Sequence, residues 1–139
     1  MKPMNEVLQE VREIVADILA LELQEVTPAA RFFEDLGGES IDVLELSFRC
    51  ERTYGIKAEF QKIGAAVRSD DNGMLTAESL SSLRADYKFL DLATIEADPR
   101  AERVTELLTV QAIARYVYEA LLAKESAAPQ ATMPGLSPA

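Results

Sequence analysis

The feature that most constrains the fold is the spacing of apolar residues, which recurs at three or four positions and nowhere alternates at period 2 for long enough to make a sheet. Val7, Leu8, Val11, Ile14, Val15, Ile18 and Leu19 fall on one face of a helix over 4–21, with Glu6, Glu10, Glu13 and Asp17 opposite. A looser stretch runs from Glu22 to Glu39, with Thr27-Pro28 as a turn and Gly37-Gly38 as a breaker. Ser40 then opens a second helix that stops at Gly55. The last strong helix spans 110–124, with Thr109 as its N-cap and Val110, Ile113, Ala114, Val117 and Leu121 as its buried stripe. Asp98-Pro99 reads as an N-cap and first helical residue for a short helix to Leu107. The expectation is an all-α protein.

Residues 57–97 carry weaker signals. Residues 59–67 allow a short helix with Phe60, Ile63 and Val67 on one side, and Asp70-Asp71-Asn72-Gly73 reads as a turn. Thr76 can cap a helix reaching to about Phe89 that buries Leu80, Leu83, Tyr87 and Leu90. From 126 to 139 the chain is uncharged and rich in proline and small residues, so 125–139 is expected to be a flexible tail.

Composition removes whole classes of function. With no His in 139 residues, a Ser-His-Asp triad, a histidine base and most zinc-enzyme sites are excluded. One Cys allows no internal disulfide. Acids outnumber bases 24 to 14, and the net charge of −10 argues against nucleic acid and toward basic protein partners. Residues 1–55 hold 12 acids and 5 bases, so the acidity belongs to the half that contains Ser40. The acids at Glu6, Glu10 and Glu13 do not suit a signal peptide, and no apolar stretch approaches the roughly 18 residues of a membrane span. A cytoplasmic protein with no membrane span is expected. No metal site is expected either. Asp70, Asn72 and Gly73 match three positions of a calcium loop, but Arg68 and Ser79 stand at its first and last ligand positions. Cys50 reads as a small buried hydrophobe, and Tyr116 and Tyr118 as boundary packing with their hydroxyls in water.

The helix from Ser40 has two apolar stripes. Val43, Leu46, Cys50 and Tyr54 cluster within about 80°, enough for a core face, while Ile41, Leu44 and Phe48 centre roughly 135° away. Either the 57–96 segment or a partner must cover the second stripe. Ser40 sits where a helix N-terminus offers free N–H groups and a positive dipole end, which suits a phosphate; the plainer reading is that it is an N-cap alone.

Phe32-Phe33-Glu34-Asp35-Leu36-Gly37-Gly38-Glu39-Ser40-Ile41-Asp42, continuing to Leu44-Glu45-Leu46 and Tyr54-Gly55-Ile56, resembles the signature of acyl carrier proteins. The resemblance covers about 1–57 well and 98–124 reasonably. It implies a four-helix bundle over 1–124 with an inserted helical segment at 57–97, and 4′-phosphopantetheine attached at Ser40. The Ser40 hydroxyl would attack the pyrophosphate of coenzyme A within a separate phosphopantetheinyl transferase, and the thiol of the arm would hold acyl groups as thioesters. Ser40 is then a tether and the chain has no catalysis of its own. The resemblance also implies docking onto basic patches of the transferase and of acyl synthases, acyltransferases or ligases. Glu39, Asp42, Glu45 and Glu51 match the acidic docking positions of the family, and Ile41, Leu44 and Phe48 its apolar ones; Glu45 can also pair with Arg49. Fatty acid or specialised lipid biosynthesis is the setting expected, with the extra segment either widening the acyl chamber or making a partner surface. Departures are Glu39 for the usual Asp, Ile41 for Leu or Met, and Arg49 and Arg52 in the later turns. A polyketide or peptidyl carrier stays open because Leu36-Gly37-Gly38 occurs in such domains. So does an unmodified helical interaction module with the carrier fold.

Overall fold

The computed structural model describes residues 2–132, with side chains to residue 126. Helices α1 (Met4–Leu19), α2 (Ser40–Tyr54), α3 (Ala77–Asp86), α4 (Ala93–Ala97) and α5 (Val110–Thr132) are accompanied by 3-10 segments at Leu23–Glu25, Phe60–Ala66 and Ala101–Leu107. Among the described residues β-structure is limited to isolated bridges, so the chain is all-α, as its periodicity requires.

The core forms where the apolar faces of α1, α2 and α5 meet. Val7, Val11 and Val15 of α1 are fully buried, as are Leu46 and Cys50 of α2 and Val110, Ile113 and Val117 of α5. Helix α1 turns off at Ala20, whose left-handed φ of 57° lets its N–H and that of Leu21 close on carbonyls of the last turn. Arg12 then reaches out of α1 to donate to the carbonyls of Val26 (2.7 Å) and Leu23 (3.0 Å), fixing the start of the long loop. The end of that loop is tied to α5. The first N–H groups of α5, at Val110 and Gln111, donate to the carbonyls of Ala30 and Pro28, and Thr109 Oγ1 accepts from Ala112 as the expected N-cap. At the far end of α2, burial and a 2.8 Å hydrogen bond to Glu10 push the Tyr54 phenol well above its usual range. Burial works against the charge on Glu10, but hydrogen bonds from Lys2 and Tyr54 outweigh it and hold the carboxyl below its usual range.

The 57–97 segment departs from expectation in detail. Phe60 and Ile63 are buried as anticipated, but on 3-10 turns, and Val67 is only half-buried. Thr76 caps α3 by accepting from Ser79, yet α3 ends at Asp86, which frees Phe89 and Leu90 to turn into the core. Helix α4 was not foreseen. Asp98 is not an N-cap: it closes α4, and its carboxylate binds Arg100 and Arg103, which pins the 3-10 segment Ala101–Leu107. Asp70 Oδ1 accepts from the N–H groups of Asn72 and Met74, so the carboxylate at the calcium-like turn already serves the turn itself. Tyr116 donates to the carbonyl of Lys57, where an exposed hydroxyl was expected. Helix α5 runs past the expected end near Lys124 to Thr132, so residues 125–132 of the expected tail are helical; residues 133–139 lie outside the described part.

Candidate functional site

The loop before α2 is shaped by two glycines with different duties. Gly37 has a left-handed φ of 73° and open space where a side chain would stand. Gly38 is buried, and a Cβ there would run into the ring and carbonyl of Phe32, which is fully buried beneath it. Only the first of the pair leaves the site open to approach. Arg31 clamps this loop, donating twice to Asp35 and lying 3.8 Å from Glu106; the bond to Arg31 holds the Asp35 carboxyl below its usual value. Glu34 accepts from Thr105 at 2.6 Å, tying the loop to the 3-10 segment Ala101–Leu107.

The N-cap of α2 is Glu39, one residue earlier than expected. Glu39 and Asp42 form a reciprocal capping box, in which the Glu39 N–H donates to Asp42 Oδ2 at 2.8 Å and the Glu39 side chain accepts from the N–H of Asp42. Ser40 is therefore the first helical residue. Ser40 is exposed, and its hydroxyl makes no hydrogen bond among the described residues. With the cap supplied by Glu39, nothing in the helix needs that hydroxyl.

Ile41, Leu44 and Phe48 are 72%, 38% and 54% exposed. The 57–97 segment leaves them uncovered because it attaches to another flank of α2. Buried Ser47 accepts from the Phe60 N–H at 3.2 Å and donates to Gln61 Oε1 at 3.0 Å, while Glu51 Oε2 accepts from the Ala58 N–H at 2.9 Å. Glu51 thus has a structural partner. Glu45 is exposed and unpaired among the described residues, because Arg49 reaches Asp17 at 2.8 Å and not Glu45. Ser47 and Glu51 were missed as anchors, though Ser47 stands only about 40° from Val43, a polar residue on a core face.

Beside Ser40 lies a cavity of about 300 Å³ between Val43 of α2, Phe60 and Ile63, Leu90, and Val104 and Leu107. Its polar lining is Ser40, Gln61 and Thr105, and among the described residues no charged one lines it. Cys50 lies in the core away from it, fully buried, and burial pushes its thiol up to about 12. Among the described residues no cluster of acids and Cys could hold a metal, and no helix is long and apolar enough to cross a membrane.

The family described as the phosphopantetheine attachment site matches residues 9–65, which include Ser40. An acyl carrier protein of Rubrobacter xylanophilus is 44% identical over 53 residues, covering 38% of this chain and 65% of its own. Polyketide-8 synthase acyl carrier protein 2 of Streptomyces avermitilis is 45% identical over 49 residues, 35% of this chain and 56% of its own. The chain thus spans less than two thirds of either relative. The residues present fit a phosphopantetheine group: an exposed, unbonded hydroxyl, a neighbouring glycine with open space, a helix N-terminus for the phosphate and an apolar cavity alongside. Over residues 9–65, the segment that contains Ser40, the chain is thus similar to phosphopantetheine attachment domains and to acyl carrier proteins.

Proposed function

We propose that the protein carries acyl groups on 4′-phosphopantetheine attached to Ser40 and presents them to partner enzymes. The observation that carries this reading is the state of Ser40: the residue at the motif serine is exposed, unbonded and not needed as a cap. When attached, the group supplies a terminal thiol on which acyl groups are held as thioesters. The chain supplies the rest. Ser40 Oγ offers the attachment point, and the N-terminal end of α2 favours the negative charge of a phosphodiester there. The apolar cavity beside it keeps water from an uncharged chain. In this reading Ser40 is a tether and acyl transfer is left to the partner enzymes.

Docking is assigned to the exposed face of α2. Ile41, Leu44 and Phe48 give an apolar strip that a partner can cover, and Glu39, Asp42 and Glu45 give it a negative border suited to basic patches on a phosphopantetheinyl transferase, synthase, acyltransferase or ligase. Glu39 and Asp42 combine this role with the capping box, whereas Glu45 is free for docking alone. Fatty acid or specialised lipid synthesis is one setting. A polyketide pathway is the second, favoured by the Streptomyces relative.

Thiol titration tests the proposal, because the chain has one buried Cys whose thiol is held protonated. The native protein should react slowly with a thiol reagent. After incubation with coenzyme A and a broad-specificity transferase, it should gain one fast-reacting thiol per chain, and Ser40→Ala should gain none. An unchanged thiol count in folded wild type, with several transferases, would favour the unmodified interaction module.

A further inference from the structure

The 57–97 segment supplies the wall of the cavity opposite Val43, through Phe60, Ile63 and Leu90. That wall is braced from both sides. On the α2 side it is latched by Ser47 and Glu51. Behind it, the Phe60 ring packs edge-on against Tyr116 at 5.2 Å and Phe89 at 6.2 Å, with Phe89 and Tyr116 themselves 5.0 Å apart. Aromatic rings so interlocked yield little, because close-packed interiors resist a change of even one methylene. A volume of 300 Å³ is at the small end for a ligand site, typically about 300–1,000 Å³. At roughly 30 Å³ per water-sized group, it admits about ten such groups. The lining holds no charge to pair with an ammonium or carboxylate, and an unpaired charge would not enter.

From this geometry, and resting on the assignment of Ser40 above, we propose that the 57–97 segment is a length gauge: Phe60, Ile63 and Leu90 limit the group carried at Ser40 to an uncharged hydrocarbon acyl chain of short to medium length. Phe60 is the main stop, and Ser47 positions it.

The test loads full-length protein from a series of acyl-coenzyme A thioesters, butyryl to palmitoyl, and from an aminoacyl analogue. Mass spectrometry confirms each load, and the thermal midpoint is compared with that of the same variant carrying no acyl group. The midpoint should rise with chain length to decanoyl at most and gain nothing further by palmitoyl; the aminoacyl form should gain nothing. Phe60→Ala should move the optimum longer by at least one step of the series, and Phe60→Leu, a milder change should the first not fold, in the same direction. Leu83→Ala is the control. Leu83 is fully buried in the same segment but neither lines the cavity nor belongs to the ring cluster behind Phe60, so its loss should lower every midpoint and leave the optimum in place. A loaded protein with no dependence on chain length, an unmoved optimum in the Phe60 variants, a moved optimum in the Leu83 variant, or a gain from the aminoacyl group would overturn the gauge and leave the carrier reading intact. Failure to load wild type at all would instead strike the Ser40 assignment.

Discussion

Helix α2 presents two apolar faces that are alike in composition and opposite in fate. Val43, Leu46, Cys50 and Tyr54 are buried in the core, while Ile41, Leu44 and Phe48 stand in solvent. Hydrophobicity does not distinguish them. The difference lies in polar matching: Ser47 and Glu51, on the flank of the buried face, offer hydrogen bonds to the Ala58 and Phe60 N–H groups, so the following segment folds down there. The exposed face offers no such anchors. Leaving large apolar side chains in water forgoes about 1.5–3 kcal/mol each relative to full burial, which a partner that covers them can recover.

Substitutions on the two faces should separate stability from docking. The largest loss of stability is expected for Leu46→Ala, about 3 kcal/mol in urea unfolding, since the side chain is fully buried. Ser47→Ala should cost about 1–3 kcal/mol, because it strands the buried N–H of Phe60; a neutral result would remove the latch. Disrupting the capping box with Glu39→Ala should cost about 1 kcal/mol and also slow modification by a transferase. Phe48→Ser and Glu45→Lys should change stability by no more than about 0.5 kcal/mol yet slow modification, the Glu45 effect shrinking as salt is added. If Phe48→Ser were modified at the wild-type rate, the exposed face would have no part in transferase docking.

Acid should strain the ties that hold the site's surroundings. Hydrogen bonds from Arg31 to Asp35 and from Arg100 to Asp98 lower both carboxyls below their ordinary 3.8. A group lowered in the folded state stabilises fully above its unfolded value, and that stability is lost as the pH falls through the folded value. The thermal midpoint should therefore hold above about pH 5 and drop below about pH 4. A rise on acidification would contradict these pairings.

What the sequence disclosed follows the same division. Helices α1, α2 and α5 were legible because each repeats its apolar residues at helical spacing, and Thr76 and Thr109 cap where a threonine should. The 57–97 segment was not, because 3-10 turns and the five-residue α4 are too short to register a period of 3.6. Asp98 misled because its partners, Arg100 and Arg103, are as near in sequence as the N–H groups a cap would serve. The cap of α2 was displaced by one residue since Glu39, paired with Asp42, does what Ser40 seemed placed to do. Ser40 was legible as a candidate through its motif; the cavity beside it was not, since its walls come from parts of the chain as far apart as Phe33 and Leu108.

The most direct measurement is the intact mass of wild type and Ser40→Ala after incubation with coenzyme A and transferase, followed by fragmentation of the product. The account predicts one phosphopantetheine increment on wild type, carried on fragments that contain residue 40, and none on Ser40→Ala, whose thermal midpoint stays near that of unmodified wild type. An increment on another residue, an increment retained by the variant, or folded wild type that takes none would contradict it.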